Sequence, residues 1–400
     1  MSAEKSDIIQ IIMTARRAVI IACLSAAVLV RVIGFMTDFP RDSFIETIKG
    51  SQPDFQRVTV DYIDRLNNEH VPVIFSLKHL AGQLNINYIE LRHLIQFRDG
   101  YYSYYLVKKR SGGKRRIVVP YNNLKKIQRW ILDEILAKEN VHHCCKGFVK
   151  GGSTLNNAKA HIGKKYIRKF DLKDFFESID VRRVYGIFRE IGYSPAVSYD
   201  LASLCTIKIC DEKYEAMPSF KKHWFGHLNA SEYPVLAQGA PTSPALSNLI
   251  CRKLDDRMEK YAIKNGLQYT RYADDMTFSG DDLTKLPKTA FVLKIVSEEG
   301  LKLNYKKTGT FGRNSRQEVT GVMVDGEKPR VPQKFKRQIY RHLHFCKKFG
   351  ARQHFDHYKP GARHARQWLY GKIYYVNAIE PDEGKKMLAL ADGLDWGLMM

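Results

Sequence analysis

Asp274 and Asp275 stand side by side in Tyr272-Ala273-Asp274-Asp275, between two β-rich runs at 268–272 and 276–279. That pattern predicts a hairpin with carboxylates at its tip. Adjacent side chains of an extended chain point to opposite faces, so both can serve one site only if the backbone turns there. Like charges brought together are costly unless a cation offsets them, and carboxylate oxygens suit a divalent metal. An acidic turn alone is ordinary hairpin chemistry, so a third carboxylate is needed. Asp171 is the candidate, closing an apolar strand at 166–172 from which a rigid element can project it. Between the two acidic positions lies Gln238-Gly239-Ala240-Pro241-Thr242-Ser243-Pro244. This small-residue turn lets backbone approach a ligand before launching a helix at Ser243.

The elements that must hold these residues follow from periodicity and turn chemistry. Residues 1–65 read as a helical extension that ends near Phe39-Pro40 and resumes near Ser43. Two short helices follow at 76–98, broken at Gly82 and Asn85. Runs at 101–107 and 116–119 predict a hairpin whose tip, Ser111-Gly112-Gly113-Lys114, is flexible and basic. Helices are expected at 124–138, 180–191, 243–265 and 286–300, strands at 301–304 and 318–324, and a basic helical region from Pro332 onward. The sum is an α+β fold, an antiparallel sheet with helices on one face.

Composition narrows the partners. The chain of 400 residues carries 65 Lys and Arg against 42 Asp and Glu, a formal net charge of +23. An excess that large points to a polyanion. Aromatic residues interleave with the cations at 101–116, 221–224 and 363–375, a mixture that suits RNA or a single strand. Seven cysteines without framework spacing point to a reducing compartment. His142-His143-Cys144-Cys145 has metal-binding residue types but not the spacing of a chelating knuckle, and reads as buried or base-stacking residues. His342, His344 and Cys346 alternate along a helix and are not expected to share a face. The apolar run 18–30 covers only about two-thirds of a membrane span, and Arg31 interrupts it. The preferred reading for the apolar helix 8–36 is a packed or partner-binding element rather than a membrane anchor.

Taken in order and spacing, these segments resemble the palm of the reverse transcriptase superfamily. Asp171 matches its motif A, the turn at Gln238 motif B and the hairpin at Tyr272 motif C. Glu299-Gly300-Leu301-Lys302-Leu303-Asn304 with Lys307 resembles motif D, and Val319 begins the hairpin of motif E. Asn157-Ala158-Lys159-Ala160-His161 and Val319-Thr320-Gly321 resemble two signatures of retron reverse transcriptases, and 367–373 resembles the thumb helix that follows. The resemblance covers about residues 70–380. It implies a right-hand fold: fingers at 66–165, palm at 166–325 with finger elements between 181 and 235, and a thumb or RNA-binding region at 326–400. The extension 1–65 has no match in that pattern.

The resemblance also implies roles. Asp171, Asp274 and Asp275 would be the catalytic carboxylates, holding two Mg²⁺ ions (Mn²⁺ as alternative) together with the Leu172 backbone. Phe176 would be the sugar gate against a 2′-OH, with one of Phe175 and Phe176 expected in the core. Lys114, Arg115 and Arg116 at the finger hairpin, Gln238, Gly239 and Ala240, and Lys307 as a proton donor to pyrophosphate would form the nucleotide pocket. Asn157, Ala158, His161, Val319, Thr320 and Gly321 carry the retron signature. Lys334, Lys336, Arg337, Arg341, Lys347 and Lys348 are the expected RNA contacts. Implied partners are deoxynucleotides, a structured non-coding RNA (msr-msd) that is both template and 2′-OH primer, and its branched DNA product (msDNA). An effector protein held in check during antiphage defence, a second copy of the chain and a bacterial cytoplasmic setting complete the expectation. The rival readings are a group II intron-type reverse transcriptase, disfavoured by the short stretch after Tyr375, and an RNA polymerase of the same palm. A third, an idle RNA-binding scaffold, has no need of crowded carboxylates.

Overall fold

The computed structural model describes residues 39–109, 112–358 and 364–396. The apolar run 18–30 lies outside them, and among the described residues no helix is long and apolar enough to cross a membrane. The strands in chain order are β1 (Tyr102–Lys108), β2 (Lys114–Pro120), β3 (Tyr166–Asp171), β4 (Thr206–Ile207) and β5 (Val235–Leu236). They continue with β6 (Gln268–Tyr272), β7 (Asp275–Gly280), β8 (Gly309–Gly312), β9 (Glu318–Val319) and β10 (Val322–Met323). The chain divides into two compact units. One is Met1–His142 with Asp174–Lys253 and Gly300–Lys302; the other is His143–Lys173 with Leu254–Glu299 and Leu303–Met400.

In the first unit β1 and β2 form the expected antiparallel hairpin, Tyr102 opposite Pro120 and Lys108 opposite Lys114. The helix Val181–Ile191 starts at Asp180, whose carboxylate accepts from the amides of Arg182 and Arg183. It stops at Gly192, with φ at 116°, a left-handed cap that glycine adopts without a Cβ penalty. The turn at Gln238 docks on β2, where the Val118 amide donates to the Gln238 carbonyl at 2.8 Å. Gly239 has φ at 130°, and a Cβ there would lie 2.9 Å from the Val118 carbonyl oxygen. This close approach is what the small-residue run provides.

The second unit is built on a four-stranded antiparallel sheet in the order β6-β7-β3-β8. Beside it the buried residues Ile167, Val319, Val322, Ile339, Leu369 and Ile373 share one core. That core joins the sheet to the C-terminal helices Gln333–Phe349, Ala351–Tyr358, Ala365–Ile379 and Pro381–Asp392.

Three expectations are corrected. The segment 243–265 is two helices, Ser243–Ile250 and Arg252–Lys264, broken at Cys251, whose ψ of 4° leaves the helical region. Apolar spacing carries on across the break, so periodicity alone reads one helix. Residues 301–304 form no strand; only Leu303 bridges, to Leu172. The segment 318–324, a strand by its local pattern, is instead the hairpin that the resemblance to motif E implied from Val319, because Thr320 (φ 46°) and Gly321 (φ 87°) turn the chain between β9 and β10. A further correction concerns His342 and Cys346: four residues apart, they share the buried face of their helix while His344 is exposed.

Candidate active site

The catalytic-type carboxylates come together through strand register. In the second unit Asp171, last of β3, is paired with Asp275, first of β7. Opposed side chains on antiparallel strands have Cβ atoms about 4.5–5.5 Å apart. Ala273 and Asp274 form the two-residue turn between Tyr272 and Asp275, which pair with each other. The turn requires φ of 56° at Ala273, in the left-handed region that costs an L-residue roughly 1–2 kcal/mol. Three contacts hold it there. The Leu172 amide donates to the Asp274 carbonyl at 2.9 Å. The Arg271 guanidinium donates to the Ala273 carbonyl at 3.1 Å. Gly147 lies so close that a Cβ on it would meet the Ala273 nitrogen at 2.7 Å.

Arg271 is itself fully buried and clasped by Asp255 from the helix Arg252–Lys264. Nε donates to Oδ1 at 2.8 Å and Nη2 to Oδ2 at 2.6 Å, a bidentate pair, and the Tyr269 hydroxyl donates to the same Oδ1 at 2.9 Å. Neither Asp255 nor Arg271 was expected in the site; the only trace in the sequence is a charged residue inside an apolar strand.

Electrostatics follow the crowding. Asp275 is raised to about 6, by burial first and then by Asp274, with Lys169 opposing. Asp171 is buried and accepts from the Asn304 side-chain amide at 2.9 Å and from Lys307 Nζ at 2.5 Å. Burial pulls the Lys307 ammonium down, but the hydrogen bond to Asp171 and the charges of Asp171, Asp274 and Asp275 together outweigh it, and the group is raised overall. Asp171 and Asp275 face each other across the paired strands with Asp274 in the turn beside them, and the repulsion of the neighbouring carboxylates helps raise Asp275; all the donor atoms these side chains offer are oxygens. Such a set fits a divalent cation. Asn304 is a positioning residue the motif reading passed over, although it lies inside the stretch 299–304 and also donates its backbone amide to the Asp171 carbonyl at 2.8 Å.

The remaining expected residues fall in two groups. In the first unit Lys114 and Arg115 are exposed at the hairpin tip. Arg116 instead bonds Asp174 at 2.8 Å and Glu177, whose carboxylate also faces His227 at 3.1 Å. Phe175 is buried and Phe176 half-buried, so one of the pair is core as expected. Gln238 is half-buried, Gly239 exposed and Ala240 buried.

In the second unit the two signature segments meet. Asn157 Nδ2 donates to Thr320 Oγ1 at 3.3 Å, and Thr320 Oγ1 donates to the Thr154 carbonyl at 3.0 Å. His161 is buried between Ser279 Oγ at 2.7 Å and Thr270 Oγ1 at 2.8 Å. Ala158 and Val319 are buried in the same core, and Gly321 turns the hairpin. Of the basic residues, Lys334, Arg337, Arg341, Lys347 and Lys348 are exposed. Lys336 is not: it is buried with its ammonium on Glu380 at 2.9 Å, committed inside the unit rather than offered to a phosphate.

Comparison with known sequences assigns the class. Residues 107–324 match the family model for reverse transcriptase (RNA-dependent DNA polymerase). The Retron Ec86 reverse transcriptase of Escherichia coli is 37% identical over 340 residues, covering 81% of this chain and 95% of its own. Two reverse transcriptases of Myxococcus xanthus follow. Retron Mx162 is 34% identical, covering 78% of this chain and 66% of its own; Retron Mx65 is 33% identical, covering 79% and 71%. Among solved structures, Candida albicans telomerase in complex with a fragment of telomeric RNA aligns at a TM-score of 0.38 and 13% identity, over 72% of this chain and 59% of that one. That likeness is too slight to argue from. The chain belongs to the reverse transcriptases and is an RNA-directed DNA polymerase. Within them it is a retron reverse transcriptase.

Proposed function

We propose that this enzyme copies a structured non-coding RNA of its own retron, starting from a 2′-OH of an internal guanosine and leaving branched, RNA-linked single-stranded DNA. The observation that carries the chemistry is the register that sets Asp171 opposite Asp275 with Asp274 in the turn between the strands. The observation that favours the retron product is the hydrogen bond that joins the Asn157 and Thr320 signatures, alongside the identity to retron enzymes.

Asp171 and Asp274 would hold two Mg²⁺ ions, with Asp275 in support and the Leu172 backbone beside them. Bound there, the ions supply charge stabilisation for the entering and leaving oxygens of an in-line displacement at the α-phosphate. The chain's own residues do the rest. Asn304 and Lys307 keep the Asp171 carboxylate oriented. Lys307 would then give a proton to the departing pyrophosphate. In the first unit exposed Arg115 and Lys114, whose ammonium lies over the Trp224 ring, would present charge to the triphosphate, while Arg116 anchors the hairpin through Asp174 and Glu177. Phe176 excludes a 2′-OH, and Gln238, Gly239 and Ala240 border the incoming nucleotide. Lys334, Arg337, Arg341, Lys347 and Lys348 meet RNA phosphates along one helix. The branched DNA and an effector protein would then serve antiphage defence.

The test is to express the chain with its neighbouring non-coding RNA and sequence what co-purifies. Branched RNA–DNA from the wild type, and RNA alone from Asp274→Ala, is the expected result. Linear DNA primed from a 3′-OH would overturn the branching; DNA from Asp274→Ala at the normal rate would overturn the metal assignment.

A further inference from the structure

The run His142-His143-Cys144-Cys145 gains a partner from a distant part of the chain. On the helix Arg252–Lys264, Glu259 lies one turn beyond Asp255 and reaches the loop that begins at His143. Glu259 Oε1 is 2.5 Å from His143 Nε2 and accepts from Cys144 Sγ at 3.0 Å. All three residues belong to the second unit. His142, the preceding residue, adds a fourth donor, and the ligand atoms lie within 4.8 Å of one another. Spacing along the local sequence does not show this partner, because Glu259 stands 115 residues from Cys144.

We propose that His142, His143, Cys144 and Glu259 form a structural zinc site, separate from the all-oxygen carboxylate centre. The donor chemistry selects the metal. Thiolate and imidazole suit zinc, whereas magnesium takes oxygen ligands. Two imidazoles, one thiolate and one carboxylate give a closed tetrahedral set whose two negative charges neutralise Zn²⁺. Zinc bonds of about 2.0–2.3 Å make a tetrahedron with edges of roughly 3.3–3.8 Å. The present limit of 4.8 Å between ligand atoms is about 1 Å wider than those edges. His143 is largely exposed and Cys144 buried, so the ion has a way in from solvent and a thiol waiting beneath.

The location gives the site a purpose. Residues 144–146 run beside β6: the Arg271 amide donates to the Cys144 carbonyl at 2.9 Å, and the Lys146 amide to the Arg271 carbonyl at 2.8 Å. The next residue, Gly147, is the one pressed against Ala273 in the acidic turn. Zinc would staple this segment to the helix that already carries the Asp255 clasp. Two consecutive turns of one helix would thus fix the strand and the loop flanking the turn.

The experiment is titration of the chelator-treated full chain with Co²⁺ alone, followed by Zn²⁺. One equivalent of Co²⁺ should give the intense thiolate-to-metal absorption of a tetrahedral site, and Zn²⁺ should displace it. Cys144→Ser should abolish that band, and Glu259→Gln should weaken affinity at least tenfold. Cys145→Ser and Asp274→Asn should leave the band intact. His143→Ala changes an exposed side chain and keeps the test sound if Cys144→Ser does not fold; it too should lower affinity at least tenfold. Absence of a thiolate band in the wild type, its persistence in Cys144→Ser, its loss in Cys145→Ser, or unchanged affinity in His143→Ala would each overturn the site. The readout is spectroscopic and independent of polymerase activity.

Discussion

Replacing Asp255 by Ala should separate what the buried clasp does for stability from what it does for the acidic turn. Both Asp255 and Arg271 are fully buried, and the carboxylate receives three hydrogen bonds, two from the guanidinium and one from Tyr269. Removing it strands a cation where water cannot reach, a class of change that costs about 3–5 kcal/mol. The orphaned Tyr269 hydroxyl adds about 1 kcal/mol. A loss of roughly 4–6 kcal/mol is therefore expected from the shift in urea midpoint at constant slope. The double variant Asp255→Leu, Arg271→Met removes both charges together and should regain most of that loss, because a packed apolar pair often equals a buried ion pair.

Activity should behave differently. The double variant still lacks the guanidinium bond to the Ala273 carbonyl, so the left-handed residue before Asp274 loses one of its three holds. A displacement of the order of 1 Å can cost about a hundredfold in rate. Single-nucleotide incorporation by the refolded double variant should fall by roughly 10- to 100-fold in kcat on that scale. A single variant destabilised by under about 1 kcal/mol would refute the buried-pair reasoning, being no more than an exposed pair is worth. A stable double variant with wild-type kcat would refute the claim that Arg271 positions the turn.

Gly239→Ala places a side chain at φ 130° and 2.9 Å from the Val118 carbonyl, so it should cost about 1–3 kcal/mol and raise the KM for deoxynucleotides, read by denaturation and steady-state kinetics. Phe176→Ala should raise ribonucleotide incorporation relative to deoxynucleotide; an unchanged ratio would remove Phe176 from the gate. Burial, and then Lys169, push His161 down to about 3, so the folded state refuses a proton that the unfolded chain accepts below about 6.5. Stability should therefore fall as pH drops from 6.5 toward 3, by about 2 kcal/mol at pH 5 from this residue alone. His79, pushed down to about 4 by burial, acts in the same direction. His161→Gln should flatten the pH dependence of the urea midpoint, and an unaltered slope would exclude His161 as its source.

The parts of the site readable from the sequence are those whose local pattern is also their chemistry. The hairpin at Tyr272 announces itself by β-rich runs around an acidic turn, and β3 by an apolar run that ends in Asp171. Glycine at position 239 and the start of a helix at Ser243 follow from small-residue turn chemistry, and both are present. What escaped notice depends on partners far apart in the chain. Arg271 in isolation is a poor residue for a strand interior; only Asp255, brought in by a helix, explains it. Lys336 sits in a basic run and gives no sign that Glu380 claims it. The split of the helix at Cys251 was hidden because apolar spacing continues through it.

The retron signatures make the same point in a sharper form. Conspicuous polar residues such as Asn157, His161 and Thr320 invite a reading as RNA contacts, yet His161 spans β6 and β7 through Thr270 and Ser279. Asn157 ties its short helix to the turn of the β9–β10 hairpin. A buried imidazole that bonds both strands of the acidic hairpin limits their sliding, since a one-residue slip would turn every side chain to the other face. Such a slip would also carry Asp275 away from Asp171. Together with the Arg271 clasp, the Leu172 amide and the close approach of Gly147, the signature histidine makes the carboxylate pairing a property of the whole second unit. The two-residue turn alone, with its strained Ala273, would not hold it.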